Sequence, residues 1–206
     1  MGTAMTNRVP HKVVLASALM LAAVPQTAMA DWRDQITPAD FERLADLQHA
    51  RQRGLAEAEH GRGTGDVRAI RETFDPAARA VPERALYGAW RCRQMKLGGM
   101  TDYAVFNWFP CRISKVNGGI WFEKQGTQRM AGYLYPQDGM WVYLGAQSAK
   151  GEPLHRYSGN GASAGAAVNP DDQVGLVVGI GYNRLRLDLP SPATQESDFD
   201  AIELVR

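Results

Sequence analysis

The chain has 206 residues, in which 23 lysines and arginines nearly balance 22 aspartates and glutamates. This balance excludes the proteins that bind nucleic acids through a large positive excess, which is needed to displace counterions from phosphates. Hydrophobic residues make up 45% of the sequence, enough for the core of one globular domain.

The amino-terminal end has the pattern of a cleavable export signal. Arg8 and Lys12 precede an apolar run over residues 13–24, and Ala28-Met29-Ala30 matches an A-x-A cleavage site. We therefore expect residues 1–30 to form a signal peptide that is cleaved after Ala30. The apolar run is well short of the roughly 20 residues that cross a bilayer, and no later segment comes close, so we expect no membrane span.

Residues 31–84 are predicted to form an N-terminal helical segment. Thr37-Pro38, followed by apolar residues at helical spacing, has the cap, first-turn proline and apolar stripe of an amphipathic helix that ends near Gly61. Asp66 can cap a second, shorter helix, which Asp75-Pro76 ends. The sequence therefore predicts a pair of α-helices ahead of the remaining chain.

Residues 85–206 change to alternation of apolar and polar residues between glycine-containing turns, which predicts an antiparallel β domain. Eight short strands at hairpin spacing favour a closed, calycin-like barrel, because closure removes exposed sheet edges; a two-sheet sandwich has the same pattern. The predicted strands cover residues 86–96, 103–114, 119–124, 128–135, 140–146, 174–181, 185–189 and 199–205.

Alternation also assigns side chains to the interior of the β domain. Residues two apart share a face, so Trp90 is predicted to point inward with Cys92, and Phe109 with Cys111. The two cysteines have one possible intramolecular pairing, and we expect a Cys92–Cys111 disulfide that adds about 3 kcal/mol of stability. The sequence contains no CxxC motif, which argues against a metal or redox role.

The triplet Gly88-Ala89-Trp90 resembles the G-x-W at the start of lipocalin barrels, where an arginine packs over the tryptophan in a cation–π contact. Arg186 and Arg129 are the candidate arginines. Ordinary core packing explains a tryptophan on an alternating strand equally well. The triplet therefore supports the calycin-like barrel only as one motif among several.

Residues 148–173 interrupt the alternation and are rich in glycine, alanine and serine, which predicts a long loop. Within it, Gly161-Ala162-Ser163-Ala164-Gly165 matches the G-x-S-x-G motif of serine hydrolases. That motif needs a strand before it and a helix after it, and no histidine follows Ser163. We interpret the match as loop composition.

A polar turn carries the candidate ligand-binding residues Lys124, Gln128 and Arg129. Two cations and amide side chains at a tight turn can hold an anionic group through charge-assisted hydrogen bonds. The alternative is a polar hairpin in which Arg129 pairs with an acid such as Asp200. If the cluster binds a ligand, Arg129→Ala should weaken binding strongly and leave the melting temperature nearly unchanged.

Carboxylates support a second hypothesis, hydrolysis by an acid pair drawn from Glu123, Glu196 and Asp198. Such pairs work at ordinary pH when burial separates their pKa values. His49 and His60 lie about 16 Å apart along the predicted helix, too far to share a metal ion. We therefore predict no metal, no cofactor and no catalytic residue.

Several motifs follow one another in a specific order along the chain. They are Thr37-Pro38-Ala39-Asp40 with Arg43-Leu44, Trp90-Arg91-Cys92-Arg93 with Lys96-Leu97-Gly98, Cys111-Arg112, Gly126-Thr127-Gln128-Arg129, Tyr143-Leu144-Gly145, Arg184-Leu185-Arg186-Leu187, Glu196-Ser197-Asp198-Phe199-Asp200 and Glu203-Leu204. Together they resemble domain-of-unknown-function family 4893, a family of exported proteobacterial proteins. The resemblance covers nearly all of the chain after the leader and implies a periplasmic location, but no activity or ligand.

These observations favour a periplasmic binding or interaction module over an enzyme. Its partner would be a small anionic molecule, an envelope component or a protein. A carboxylate-dependent hydrolase and an envelope structural protein without a ligand remain alternatives. The structural protein predicts a barrel interior that side chains fill completely.

Overall fold

A closed antiparallel barrel dominates the computed structural model, which describes residues 1–2, 31–61, 63–159, 169–193 and 197–206. The predicted leader from residue 3 onward and the G-x-S-x-G motif lie outside these ranges. Among the described residues, eight strands close the barrel by pairing β9 with β1, and β2 is an additional short strand on β1. The predicted fold class is thereby confirmed. The strands are β1 (Gly88–Leu97), β2 (Tyr103–Val105), β3 (Phe109–Val116), β4 (Gly119–Lys124), β5 (Gln128–Gln137), β6 (Met140–Ala149), β7 (Asp172–Gly181), β8 (Arg184–Pro190) and β9 (Phe199–Val205).

The helical segment contains three α-helices among the described residues, where the sequence predicted two. The first predicted helix is divided at Asp46, whose backbone N–H donates to carbonyl oxygens in the last turn of its predecessor. Thr37 caps the first helix as predicted, whereas the third helix begins two residues before Asp66, the predicted cap. None of the three has the length and hydropathy to cross a bilayer. They are α1 (Pro38–Ala45), α2 (Leu47–Ala58) and α3 (Thr64–Phe74).

The helices cover the outer face of β1 and β9. Met95, Leu97 and Phe199 point away from the barrel interior and are fully buried against α2 and α3. Gly54 allows α2 to approach closely, because a Cβ at this position would lie 2.9 Å from the carbonyl oxygen of Leu97. This contact explains a glycine inside a helix, where it otherwise costs roughly 0.5–1 kcal/mol.

The barrel interior holds the largest apolar cluster and the disulfide. Trp90, Cys92, Cys111 and Leu187 belong to this cluster, and alternation of apolar residues predicts all four to point inward. The Cys92–Cys111 disulfide is confirmed, with the two Cα atoms 5.9 Å apart. Cys111 lies opposite Trp90, and Cys92 lies opposite Phe109. The disulfide therefore joins β1 and β3 diagonally, between positions that are offset by two residues.

Candidate functional site

One end of the barrel, which we call the mouth, is where β1 and β4 finish at Leu97 and Lys124. The wall is irregular there because the predicted strand 103–114 is interrupted. Both β2 and β3 pair with the same side of β1, and residues 106–108 between them leave the ladder. The side chains of Phe106 and Trp108 stay 41% and 36% exposed at this interruption.

A cavity of about 290 Å³ lies at the interruption, and we call it the mouth cavity. It combines two cations and two amide side chains with two aromatic rings. Inner positions towards the other end of the barrel are apolar, so this is the polar end of the interior. The lining residues are Gln94, Lys96, Phe106, Phe109, Lys124, Thr127 and Gln128.

Lys124 is the buried cation of the mouth cavity, with 2% of its surface exposed. Its position follows from alternation, since it shares the inner face of β4 with the buried Phe122. The ammonium donates to the carbonyl oxygen of Gln128 at 2.6 Å and lies 5.4 Å from the ring centroid of Phe109. Burial lowers the pKa of Lys124 to about 8, although the charge of Asp200 acts in the opposite direction.

Asp200 lies behind Gln94 and is completely buried. Its Oδ2 accepts a hydrogen bond from Nε2 of Gln94 at 2.7 Å, and its Oδ1 accepts one from the hydroxyl of Ser197 at 2.6 Å. Burial raises the pKa of Asp200 to about 6, against the lowering effect of these hydrogen bonds and of Lys96 and Lys124. The carboxylate therefore holds the amide of Gln94 through one of its N–H groups.

The structure brings together two of the three ligand-binding residues predicted from the sequence. Lys124 and Gln128 both line the mouth cavity. Arg129 is the next residue of β5 and therefore points to the outer face, where its Nη1 donates to the carbonyl oxygen of Glu152 at 2.9 Å. A cation on the outer face cannot share an anion with Lys124.

The carboxylates of the hydrolase hypothesis are not part of this cavity. Glu123 occupies an outer-facing position of β4, opposite Arg112 of β3. Asp198 directly precedes β9 and lies beside Gly98, the residue that follows β1. Glu196 lies outside the described residues. No group of three or more metal-ligating side chains is present within the ranges that the structure describes.

Two residues of the candidate site that the sequence analysis did not identify extend inward-facing series into the mouth. Gln94 lies two residues beyond Cys92 on β1, and Asp200 lies two residues before the buried Ile202 on β9. Following the period of two past the last apolar residue identifies both. The signal is therefore present in the sequence, although neither residue type attracts attention in isolation.

The opposite end of the barrel is closed by the segment that precedes β1. The indole nitrogen of Trp141 donates to the carbonyl oxygen of Val81 at 2.8 Å, which fixes this segment across the end. The guanidinium of Arg206 lies 3.9 Å from the ring centroid of Trp90 and covers that ring.

Comparison with known proteins assigns the chain to a family. A family model described as Domain of unknown function (DUF4893) matches residues 32–204, which is most of the sequence. No curated protein and no solved structure is significantly similar to the chain. The chain therefore belongs to the DUF4893 family.

Proposed function

We propose that the protein binds a small anionic molecule in the mouth cavity, with Lys124 as the main anchor. The observation that carries the proposal is a buried ammonium that faces a cavity and forms no direct ion pair with a described carboxylate. A buried charge that no described carboxylate contacts directly is costly, and such groups concentrate at functional sites. An anionic ligand would supply that direct contact.

The cavity also suggests the size and shape of the ligand. Its volume of about 290 Å³ is at the lower limit of small-molecule sites. Phe106 and Phe109 provide apolar walls beside Lys124, so a ligand with an apolar or ring-shaped body next to its anionic group fits best. Lys96 adds a second positive charge to the same lining.

We propose further that the protein is exported and acts in the periplasm. The leader pattern of residues 1–30 supports export, and a disulfide suits an oxidising compartment. The arginine over Trp90 is similar to the G-x-W arrangement of lipocalin barrels, which supports a lipocalin-like binding architecture. Such barrels present their ligand sites at one end, as proposed here.

Calorimetric titration of the mature protein with 3-phenylpropanoate and with 2-phenylethanol tests the binding function. The two compounds share the aromatic ring and differ in the carboxylate, so we expect the carboxylate compound to bind at least about tenfold more tightly. Lys124→Met should remove this preference. Arg129→Ala removes a cation from the outer face and should change affinity less than about twofold.

Two results would contradict the proposal. One is equal binding of the two compounds to the unmodified protein. The other is a preference for the carboxylate compound that survives in Lys124→Met and disappears in Arg129→Ala, which would move the anion site to the outer face of β5.

A further inference from the structure

We propose that the ligand carries a hydroxyl group beside its carboxylate, and that Gln94 recognises this hydroxyl. The ligand class is then a hydroxycarboxylic acid. This inference rests on the proposed anion site and adds a second contact within the same cavity.

Asp200 orients the side-chain amide of Gln94. A glutamine amide has two N–H donors on one side and a carbonyl acceptor on the other. Nε2 of Gln94 donates to the carboxylate of Asp200, whose second oxygen is held by Ser197. The reverse orientation would place the amide oxygen against the carboxylate, so Asp200 fixes the nitrogen side of the amide towards itself and leaves the carbonyl oxygen as the acceptor for the cavity. Asp200 is thus a positioning residue that acts through Gln94.

The amide oxygen of Gln94 is a hydrogen-bond acceptor in a nearly buried position. Gln94 lines the mouth cavity but is only 5% exposed, so its oxygen has little access to bulk water. A second anionic oxygen placed against it would be repelled, whereas an O–H group would donate to it. A buried acceptor that a bound ligand leaves unpaired loses its hydrogen bond to water without a replacement, which weakens binding of that ligand.

The two contacts together define a pattern. Lys124 provides donors and a positive charge, and Gln94 provides a neutral acceptor in the same lining. A carboxylate alone pairs with Lys124 and leaves Gln94 unpaired. A carboxylate with a neighbouring hydroxyl pairs with both, while its apolar body packs on Phe106 and Phe109.

The test compares 3-phenyllactate with 3-phenylpropanoate, which differ by one hydroxyl group next to the carboxylate. Calorimetric titration of the mature protein should show 3-phenyllactate binding at least about fivefold more tightly, the factor expected for one hydrogen bond to a buried acceptor. In Gln94→Met, which keeps the side-chain length, this ratio should fall to about one. Gln125→Met removes an exposed amide of the adjacent turn that does not line the cavity, and it should leave the ratio unchanged.

The outcomes separate the two proposals. Equal binding of both acids, with both depending on Lys124, overturns the inference and leaves the anion site standing. Binding that is unaffected by Lys124→Met, or no binding of either acid at about 10 mM, overturns both. The comparison in the unmodified protein suffices if Gln94→Met does not fold, because it needs no variant.

Discussion

The guanidinium of Arg206 lies 3.9 Å from the ring centroid of Trp90, so the residue that follows β9 closes the end of the barrel where β1 begins. Its Nη1 donates to the carbonyl oxygen of Tyr87 at 2.7 Å, and Nη2 donates to that of Ala85. The Arg206 side chain therefore connects the last residue after β9 to the start of β1 and the segment before it. Arg206→Ala should lower the free energy of unfolding by about 1–2 kcal/mol, since a cation–π contact and two hydrogen bonds are lost.

Thermal unfolding measures this effect, with an expected decrease in melting temperature of roughly 3–6 °C. Arg112→Ala is the matched control, because Arg112 is exposed on the outer face of β3 and should change stability by less than about 0.5 kcal/mol. Equal melting temperatures for Arg206→Ala and the control would show that the contact contributes nothing.

The same pair shows which part of the structure could be predicted from the sequence. Alternation predicted that Trp90 faces inward, because a period of two is a local property of each strand. The arginine above it could not be predicted, since its identity depends on β9 pairing with β1 across more than a hundred residues. Arg186, one sequence-based candidate, instead stacks over Phe74 under the helices.

The sequence likewise predicts only part of the candidate site. Lys124 and Gln128 were identified by residue type, and their positions on inner faces agree with alternation. Arg129 was grouped with them because it is adjacent in sequence, although adjacent strand residues point to opposite faces. The mouth cavity also depends on the interruption at residues 106–108, which no local pattern predicted.

The Cys92–Cys111 disulfide should contribute about 3 kcal/mol by restricting the unfolded chain between two cysteines with a sequence separation of 19. Cys92→Ala/Cys111→Ala should therefore unfold at a melting temperature roughly 6–12 °C lower. Thermal unfolding of the unmodified protein with and without a reductant is the companion measurement. A double variant as stable as the oxidised protein would contradict the prediction.

Arg186 and Asp188, both on β8, form an ion pair that is buried under the helices. Nε and Nη2 of Arg186 donate to the two carboxylate oxygens at 2.5 and 2.9 Å, and Nη1 donates to the carbonyl oxygen of Thr73 at 3.0 Å. Among the described residues, Arg186→Met would leave Asp188 with only the more distant Arg51, and the variant should be destabilised by about 3–5 kcal/mol.

Arg186→Met/Asp188→Leu removes both charges and should recover most of the loss, since apolar replacements of a buried pair are often neutral. Urea unfolding of the single and double variants gives the two free energies. A double variant no more stable than the single variant would show that the pair has a role in packing that apolar side chains cannot replace.

Lys124→Met should stabilise the protein at pH 7. Burial lowers the pKa of Lys124 to about 8, from 10.5 in an unfolded chain. Protonation is therefore less favourable in the folded state, and the resulting penalty of about 3 kcal/mol is present below pH 8 and vanishes as the pH rises towards 10.5. The lost hydrogen bond to Gln128 offsets part of the gain, so we expect a net increase of about 1–2 kcal/mol.

Urea unfolding at about pH 7 and about pH 10 checks the sign, because the advantage of Lys124→Met should shrink at the higher pH. Lys115→Met serves as the control, since Lys115 is exposed on β3. A variant that is less stable than the unmodified protein at both pH values would show that Lys124 supports the fold.

Anion binding should weaken as the pH rises through 8, the approximate pKa of Lys124, because the neutral amine provides no positive charge. Asp200 ionises as the pH rises through its pKa of about 6, and the added negative charge near the cavity lowers the affinity slightly in that pH range. Affinity for 3-phenylpropanoate should therefore fall by about tenfold or more between about pH 7 and about pH 9.5. Lys124→Arg stays charged over this range and should show almost no decrease, because the ionisation of Asp200 is largely complete by about pH 7. An equally steep decrease in Lys124→Arg would assign the titration to another group and remove Lys124 as the anchor.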